Sequence, residues 1–313
     1  MKKKIIVFLS IFTVLLVIAG GFIGNYFYDL ALNPNTDKSM VLSADNNVIE
    51  GQKLDYEASK KWYDLQNNSE VSVMSKDNLK LHAYQVKNHN ANKWVIVFHG
   101  YMSQANAMFY TAADFNDFGY NVLLPDARGH GKSEGNYIGM GWDERKDALV
   151  WIDQIIKNNK NAEIVLYGIS MGGATVMNTA GENLPANVKA IVEDCGFSSI
   201  NDIFAYQLKS IFNLPSFPII NFASLTTKVR AGYFLEDGNT LNQLNNAKVP
   251  MMFIHGDKDT FVPFEMLDKV YNAANVEKEK LIVKKAGHGQ AKSVLGSYQY
   301  MKKVNNFLNK YVN

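Results

Sequence analysis

The chain opens with Lys2, Lys3 and Lys4 and then runs through Ile5 to Ile23 without a charge, Ser10 and Thr13 being the only hydroxylated side chains in the run. As a helix rising about 1.5 Å per residue it spans roughly 28 Å, close to the hydrocarbon thickness of a bilayer. An apolar run with no amphipathic break is not a core helix of a soluble domain. Residues 1–25 therefore predict an uncleaved membrane anchor. Val17-Ile18-Ala19 before Gly20-Gly21 leaves a cleaved signal peptide, and hence secretion, as the alternative. With three lysines before the span and no cation after it until Lys38, the anchor predicts a single-pass protein with a cytoplasmic N-terminus and the rest extracytoplasmic. Residues 26–69 read as a stalk, with Asn33-Pro34-Asn35-Thr36-Asp37 at its centre, followed by an amphipathic helix over 52–66 with Leu54, Tyr56, Ala58, Trp62 and Leu65 on one face. A chain begun near residue 35 is expected to be soluble and active.

From residue 70 to 313 strand-like and helical stretches alternate. Val71–Met74 and Leu81–Val86 flank Lys76-Asp77-Asn78 and predict a hairpin. Compact apolar runs follow at Trp94–Phe98, Asn121–Pro125, Ile164–Tyr167, Ala190–Val192, Met251–Ile254 and Leu281–Val283, with helical patterns such as Trp142–Ile156 and Met266–Ala274 between them. Runs without polar alternation are strands buried on both faces, as in parallel sheets covered by helices. The order predicts a doubly wound α/β sheet entered by an antiparallel hairpin. Between Asp194 and Val249 lies more chain than such a sheet needs. It is rich in Phe, Ile and Leu and is broken by Pro215 and Pro218, which predicts a small helical cap over about 197–245.

Charge and composition then narrow the function. Lys plus Arg is 32 against 30 Asp plus Glu; without Lys2–Lys4 and Asp29 the remainder holds 29 of each, with no basic cluster to bind nucleic acid. Cys195 is the one cysteine, so neither an intramolecular disulfide nor a Cys-rich metal site is available. No histidine pair sits at ligand spacing, and Gly129-His130-Gly131 before Lys132-Ser133-Glu134-Gly135 misses the spacing of a P-loop or dinucleotide fingerprint. No cofactor or metal is expected.

In doubly wound sheets the chemistry collects at the carboxyl ends of strands. After the run at 164–167 comes Gly168-Ile169-Ser170-Met171-Gly172-Gly173. A serine on a tight strand-to-helix turn needs neighbours without side chains two positions away, and Gly168 and Gly172 meet that need. A serine hydroxyl is a poor nucleophile at neutral pH, so it requires a base within hydrogen-bond reach and a carboxylate to orient that base. His288, in Gly287-His288-Gly289 after the last strand run, is the candidate base. Asp259 and Asp257, in His255-Gly256-Asp257-Lys258-Asp259, and Asp194 are candidate acids.

Five segments in this order resemble the α/β-hydrolase superfamily, in particular its bacterial serine-aminopeptidase-like and acyl-esterase-like branch, whose members often carry an N-terminal membrane segment. The segments are His99-Gly100-Tyr101, Asp126 to Gly135, Gly168 to Gly172, His255 to Asp259 with Val262-Pro263, and Gly287-His288. The resemblance implies an α/β-hydrolase fold with nucleophile Ser170, base His288 and acid Asp259, Asp257 being the local rival and Asp194 the distant one. It implies oxyanion donors at the N–H groups of Met171 and Tyr101, with Met102 as the substitute. His99, His130, Arg128 and Glu134 then read as loop-holding polar groups. The resemblance does not carry the substrate. The apolar cap segment Phe197–Phe222, whose one acid is Asp202, favours an ester with an apolar acyl or alkyl group, small or lipid-like, over an aminoacyl amide. A peptidase or thioesterase on the same triad is the alternative, and a non-catalytic binding module the remotest.

Overall fold

In the computed structural model, which describes residues 2–42, 52–88 and 92–312, every strand-like run from Val71 to Val283 becomes a strand. The strands are β1 (Asn68–Met74), β2 (Lys80–Val86), β3 (Lys93–Phe98), β4 (Asn121–Pro125), β5 (Glu163–Ile169), β6 (Val188–Asp194), β7 (Met251–Gly256) and β8 (Lys278–Val283). They form one eight-stranded sheet in the order β1-β2-β4-β3-β5-β6-β7-β8. The β1–β2 and β2–β4 pairs are antiparallel, and every pair from β4 to β8 is parallel. This is the expected doubly wound sheet entered by an antiparallel hairpin, with β4 and β7 buried along their whole length.

The helices are α1 (Lys2–Leu32), α2 (Ser39–Leu42), α3 (Gln52–Asp64), α4 (Phe109–Asp117), α5 (Glu144–Asn158), α6 (Met171–Ala180), α7 (Ile200–Phe212), α8 (Ile219–Ala231), α9 (Thr240–Leu244), α10 (Glu265–Ala273), α11 (Ala291–Leu295) and α12 (Ser297–Leu308). Phe109 and Phe115 of α4 and Tyr300, Val304 and Phe307 of α12 cover one face of the sheet. Trp151 and Ile152 of α5, Val176 and Met177 of α6 and Leu267 and Val270 of α10 cover the other. The cap is built from α7 and α8, whereas α9, within the expected cap bounds, packs on α6 and α10 with Leu244 in the second cluster. The cap shares a third apolar cluster with the end of α1 and with residues beside Ser170.

The first helix departs from expectation. It does not end at residue 25 but runs to Leu32, the one helix among the described residues long and apolar enough to cross a membrane. Its N-terminal part is bare, Phe8 and Val17 each being 68% exposed, whereas Tyr28 and Leu32 are 2% and 1% exposed. Residues 26–32 are helical because the domain grips them: Arg230 pairs with Asp29 at 2.9 Å and lies over the Tyr28 ring, and Leu32 O accepts the Ile138 N–H at 2.8 Å. Gly20 and Gly24 allow the close approach to α8; a Cβ on either would stand 2.4 Å from Phe222. Where a stalk was expected, Lys38 Nζ closes the end of the helix by donating to Asp29 O and Asn33 O at 2.8 and 2.7 Å. Burying Tyr28 and Leu32 contributes about 1.5–3 kcal/mol each, so this part of α1 belongs to the folded domain. Residues 43–51 of the expected stalk, and the side chains of Leu54 and Tyr56, lie outside what is described.

Candidate active site

Ser170 joins the end of β5 to the start of α6 with φ 57° and ψ −117°, a left-handed conformation that costs a non-glycine residue about 1–3 kcal/mol. Its flanking glycines are obligatory by contact: a Cβ on Gly168 would stand 2.1 Å from Gly172 O, and one on Gly172 would stand 2.2 Å from Phe98 O. The turn is pinned by the Ser170 N–H, which donates to Asp194 O at 2.8 Å.

Three expected residues, far apart in sequence, meet here. His288 Nε2 lies 2.8 Å from Ser170 Oγ, and His288 Nδ1 lies 2.8 Å from Asp259 Oδ2. Asp259 Oδ1 accepts the N–H groups of Phe261 and Val262 at 3.0 and 2.8 Å, so the Thr260–Pro263 turn wraps the carboxylate and fixes its orientation. Burial alone would raise the Asp259 pKa. The neighbouring His288 charge and the hydrogen bonds from His255 and His288 outweigh it and hold the group ionised, well below the usual carboxylate range.

The rival acids are occupied elsewhere. Asp257 Oδ1 accepts the Lys285 N–H at 2.6 Å, tying the two loops together at the surface. Asp194 accepts the Tyr300 hydroxyl at 2.7 Å, and burial pushes its carboxyl up to about 6. Met102 is likewise unavailable as an oxyanion donor, because its N–H donates to His130 Nε2 at 3.2 Å. Burial holds His130 neutral, with its pKa down at about 3, so Nε2 serves as that acceptor while Nδ1–H donates to Arg128 O. His99 Nε2 accepts the Ala127 N–H in the same way. The Gly100-Tyr101 segment lies against the serine, a Cβ on Gly100 falling 3.5 Å from Ser170 Cβ. Arg128 makes a two-point pair with Asp147 at 2.7 and 2.8 Å, and Glu134 accepts the Lys80 N–H; both hold loops.

Three neighbours escaped the sequence reading. His255 Nε2, at 0% exposure, lies 3.2 Å from the same Asp259 oxygen that meets His288, and 3.0 Å from Val262 O. Burial would lower the His255 pKa, but the Asp259 hydrogen bond and charge, together with Glu193, raise it above the ordinary value. Glu193, also fully buried, has its carboxyl pushed up to about 8 by burial. Cys195 Sγ lies within 4.8 Å of the ligand atoms of Asp259 and His288; burial, then Asp194 and Asp259, push its thiol well up, so it stands there protonated. The visible signal for His255 was its position four residues before Asp259 on the same strand end.

A recess leads away from Ser170 beneath the cap. Tyr101, Met171, Phe197, Phe204 and Phe261 are among its walls, and the lining residues include no carboxylate. The later cap acids are used structurally: Glu236 accepts the Ser224 hydroxyl and Asp237 accepts the Phe234 N–H.

Comparison with known proteins finds relatives of the chain. A family profile described as serine aminopeptidase, S33, matches residues 89–214. The uncharacterized protein YqkD of Bacillus subtilis is 30% identical over 228 residues, 72% of this chain and 74% of the relative. An uncharacterized membrane protein of Saccharomyces cerevisiae, YNL320W, is 24% identical over 217 residues, 67% of this chain and 69% of its own. Among solved structures, the Pyrococcus furiosus esterase Pf2001 superposes with a TM-score of 0.64 at 26% identity, over 79% of this chain and 94% of that one.

Proposed function

The chain belongs to the α/β-hydrolase superfamily, and from that premise we propose that it is a serine hydrolase of carboxylic esters with an apolar acyl or alkyl group. Ser170 Oγ attacks the ester carbonyl carbon as its proton passes to His288 Nε2, and ionised Asp259 keeps the other imidazole proton on Nδ1 and stabilises the imidazolium. The carbonyl oxygen, now an oxyanion, takes the N–H groups of Met171 and Tyr101; removing one such donor costs about 3 kcal/mol of transition-state stabilisation. His288 gives its proton to the leaving alkoxide, which departs as the alcohol. Water, deprotonated by His288, then attacks the acyl-enzyme, and the acid leaves as Ser170 recovers its proton.

The single observation carrying this reading is the Ser170–His288–Asp259 relay, 2.8 Å at each step, opening into the recess. An apolar wall without carboxylates favours an acyl group over the amino terminus of a peptide. The test is kcat/KM on p-nitrophenyl esters from acetate through butyrate to octanoate, beside aminoacyl p-nitroanilides. Each added methylene that is buried should raise it about fourfold over the first steps. A flat or falling series, or faster cleavage of the anilides, overturns the ester reading in favour of a peptidase.

We read α1 as an uncleaved single-pass anchor with the catalytic domain outside the cytoplasm. The bare apolar turns before Gly20 support it, since water is a costly solvent for that surface. A mature protein beginning at Gly20, found by mass spectrometry, would instead favour secretion.

A further inference from the structure

The recess that ends at Ser170 is walled by the cap and also by Phe27, Tyr28, Leu30, Ala31 and Leu32 of α1. The same helix, without a break, is bare and apolar before Gly20. From Ala19 to Phe27 is eight residues, about 12 Å along the axis, so one rigid rod carries a lipid-facing surface at one end and a pocket wall at the other. At the junction α8 lies against Gly20 and Gly24 and leaves Leu225 57% and Val229 86% exposed, with Phe217 75% exposed just before the helix begins. Leu225 and Val229 are four apart and share a helix face. Clustered large apolar side chains on a surface mark contact with another apolar phase. Here that phase is the one α1 already occupies. The last turn of α1 also touches the proposed catalytic apparatus, since the Tyr101 hydroxyl donates to Ala31 O at 2.7 Å.

We propose that α1 is a wall of an acyl-binding site, and that the substrate is an acyl ester resident in the bilayer whose chain reaches Ser170 along α1, between that helix and the cap. The proposal rests on the ester-hydrolase reading and adds to it the substrate class and the role of the membrane helix. It makes the anchor part of the substrate site rather than a tether.

The test uses the full chain reconstituted in phosphatidylcholine vesicles, with p-nitrophenyl palmitate dissolved in the bilayer and p-nitrophenyl acetate in the water. Ala31→Trp fills the wall of the recess. If the indole displaces two methylenes at about fourfold each, the ratio of palmitate to acetate turnover falls roughly tenfold or more, whatever the change common to both esters. Unchanged palmitate turnover, or equal loss on both esters, overturns the proposal. A second measurement leaves the chain unaltered: a hexadecyl fluorophosphonate with a diazirine in mid-chain is allowed to react with the vesicles and is then irradiated. Cross-links from Ser170 to the peptide holding Phe27–Leu32 are the expected result, and cross-links that spare α1 refute it. Failure of the underlying reading looks different, because a wild-type protein that neither hydrolyses acetate nor takes the fluorophosphonate at Ser170 removes the esterase itself. A protein that does both, without α1 cross-links, removes the membrane-helix role alone.

Discussion

Exchanging Asp259 for Asn changes one atom and leaves the volume alone, which makes its consequence calculable from the contacts. The N–H groups of Phe261 and Val262, at 3.0 and 2.8 Å, demand an acceptor at the Oδ1 position, so the amide oxygen must stay there. The new NH2 then faces His288 Nδ1 at 2.8 Å and His255 Nε2 at 3.2 Å. It donates to His288 Nδ1, which moves the imidazole proton to Nε2. That N–H points at Ser170 Oγ, 2.8 Å away, and a ring nitrogen already carrying a proton takes none from serine. A wrong tautomer of this kind costs a serine triad on the order of 10⁴ in kcat, about 5 kcal/mol. Asp257→Asn keeps its acceptor for the Lys285 N–H at a half-buried position outside the Ser170–His288–Asp259 hydrogen bonds, so its effect stays within about twofold in rate, roughly 0.4 kcal/mol. Asp194→Asn keeps an acceptor for the Tyr300 hydroxyl and falls between the two. The assay is kcat/KM on p-nitrophenyl butyrate with the full chain in detergent, each variant checked for an intact melting transition. If Asp194→Asn proves the most damaging of the three, or Asp259→Asn keeps more than about a tenth of the activity where the tautomer argument requires 10⁴, the acid is misassigned.

Gly172→Ala drives a Cβ to 2.2 Å from Phe98 O, at the root of the Tyr101 loop; a stability loss of about 1–3 kcal/mol by overpacking should accompany a fall in kcat, and unchanged kinetics would refute the packing argument. Glu193 holds a proton in the folded state up to about pH 8, against an ordinary value of 4.5. Because the folded state binds more protons than the unfolded chain between those values, stability falls as pH rises through that window. Glu193→Gln removes the effect, so its melting temperature should fall less than that of the wild type between weakly acidic and weakly alkaline buffers, and parallel pH profiles would contradict this. A chain shortened to begin at Asn35 forfeits the burial of Tyr28 and Leu32, together about 3–6 kcal/mol, whereas one beginning at Gly20 keeps it; equal melting temperatures for the two would return α1 to the role of a tether.

The sheet was readable because a strand buried on both faces must be apolar throughout, as Met251–Ile254 and Asn121–Pro125 nearly are. The elbow was readable because the Gly168 and Gly172 contacts admit no side chain. The end of α1 was not. Asp29 and Asn33 look like a stalk until Arg230 is seen to pair with Asp29 and Lys38 to close the last turn. Those partners are set by the fold, one of them some two hundred residues away. His255 was missed for a related reason: its spacing from Asp259 is visible, but only the turn through Val262 brings its ring onto the carboxylate. Assignment of Asp259 over Asp257 needed the resemblance, since both acids follow the same strand and composition does not separate them. The structure supplies the physical difference, one carboxylate being buried at His288 and the other tied to Lys285 at the surface.

That Ser170 is the attacking atom is the claim on which the rest depends. Membranes bearing the full chain should be treated with a fluorophosphonate and the protein digested for site mapping by mass spectrometry. A single adduct on Ser170, absent from Ser170→Ala and strongly slowed in His288→Ala, is the predicted result. An adduct on any other residue, or labelling of Ser170→Ala at the wild-type rate, would contradict it.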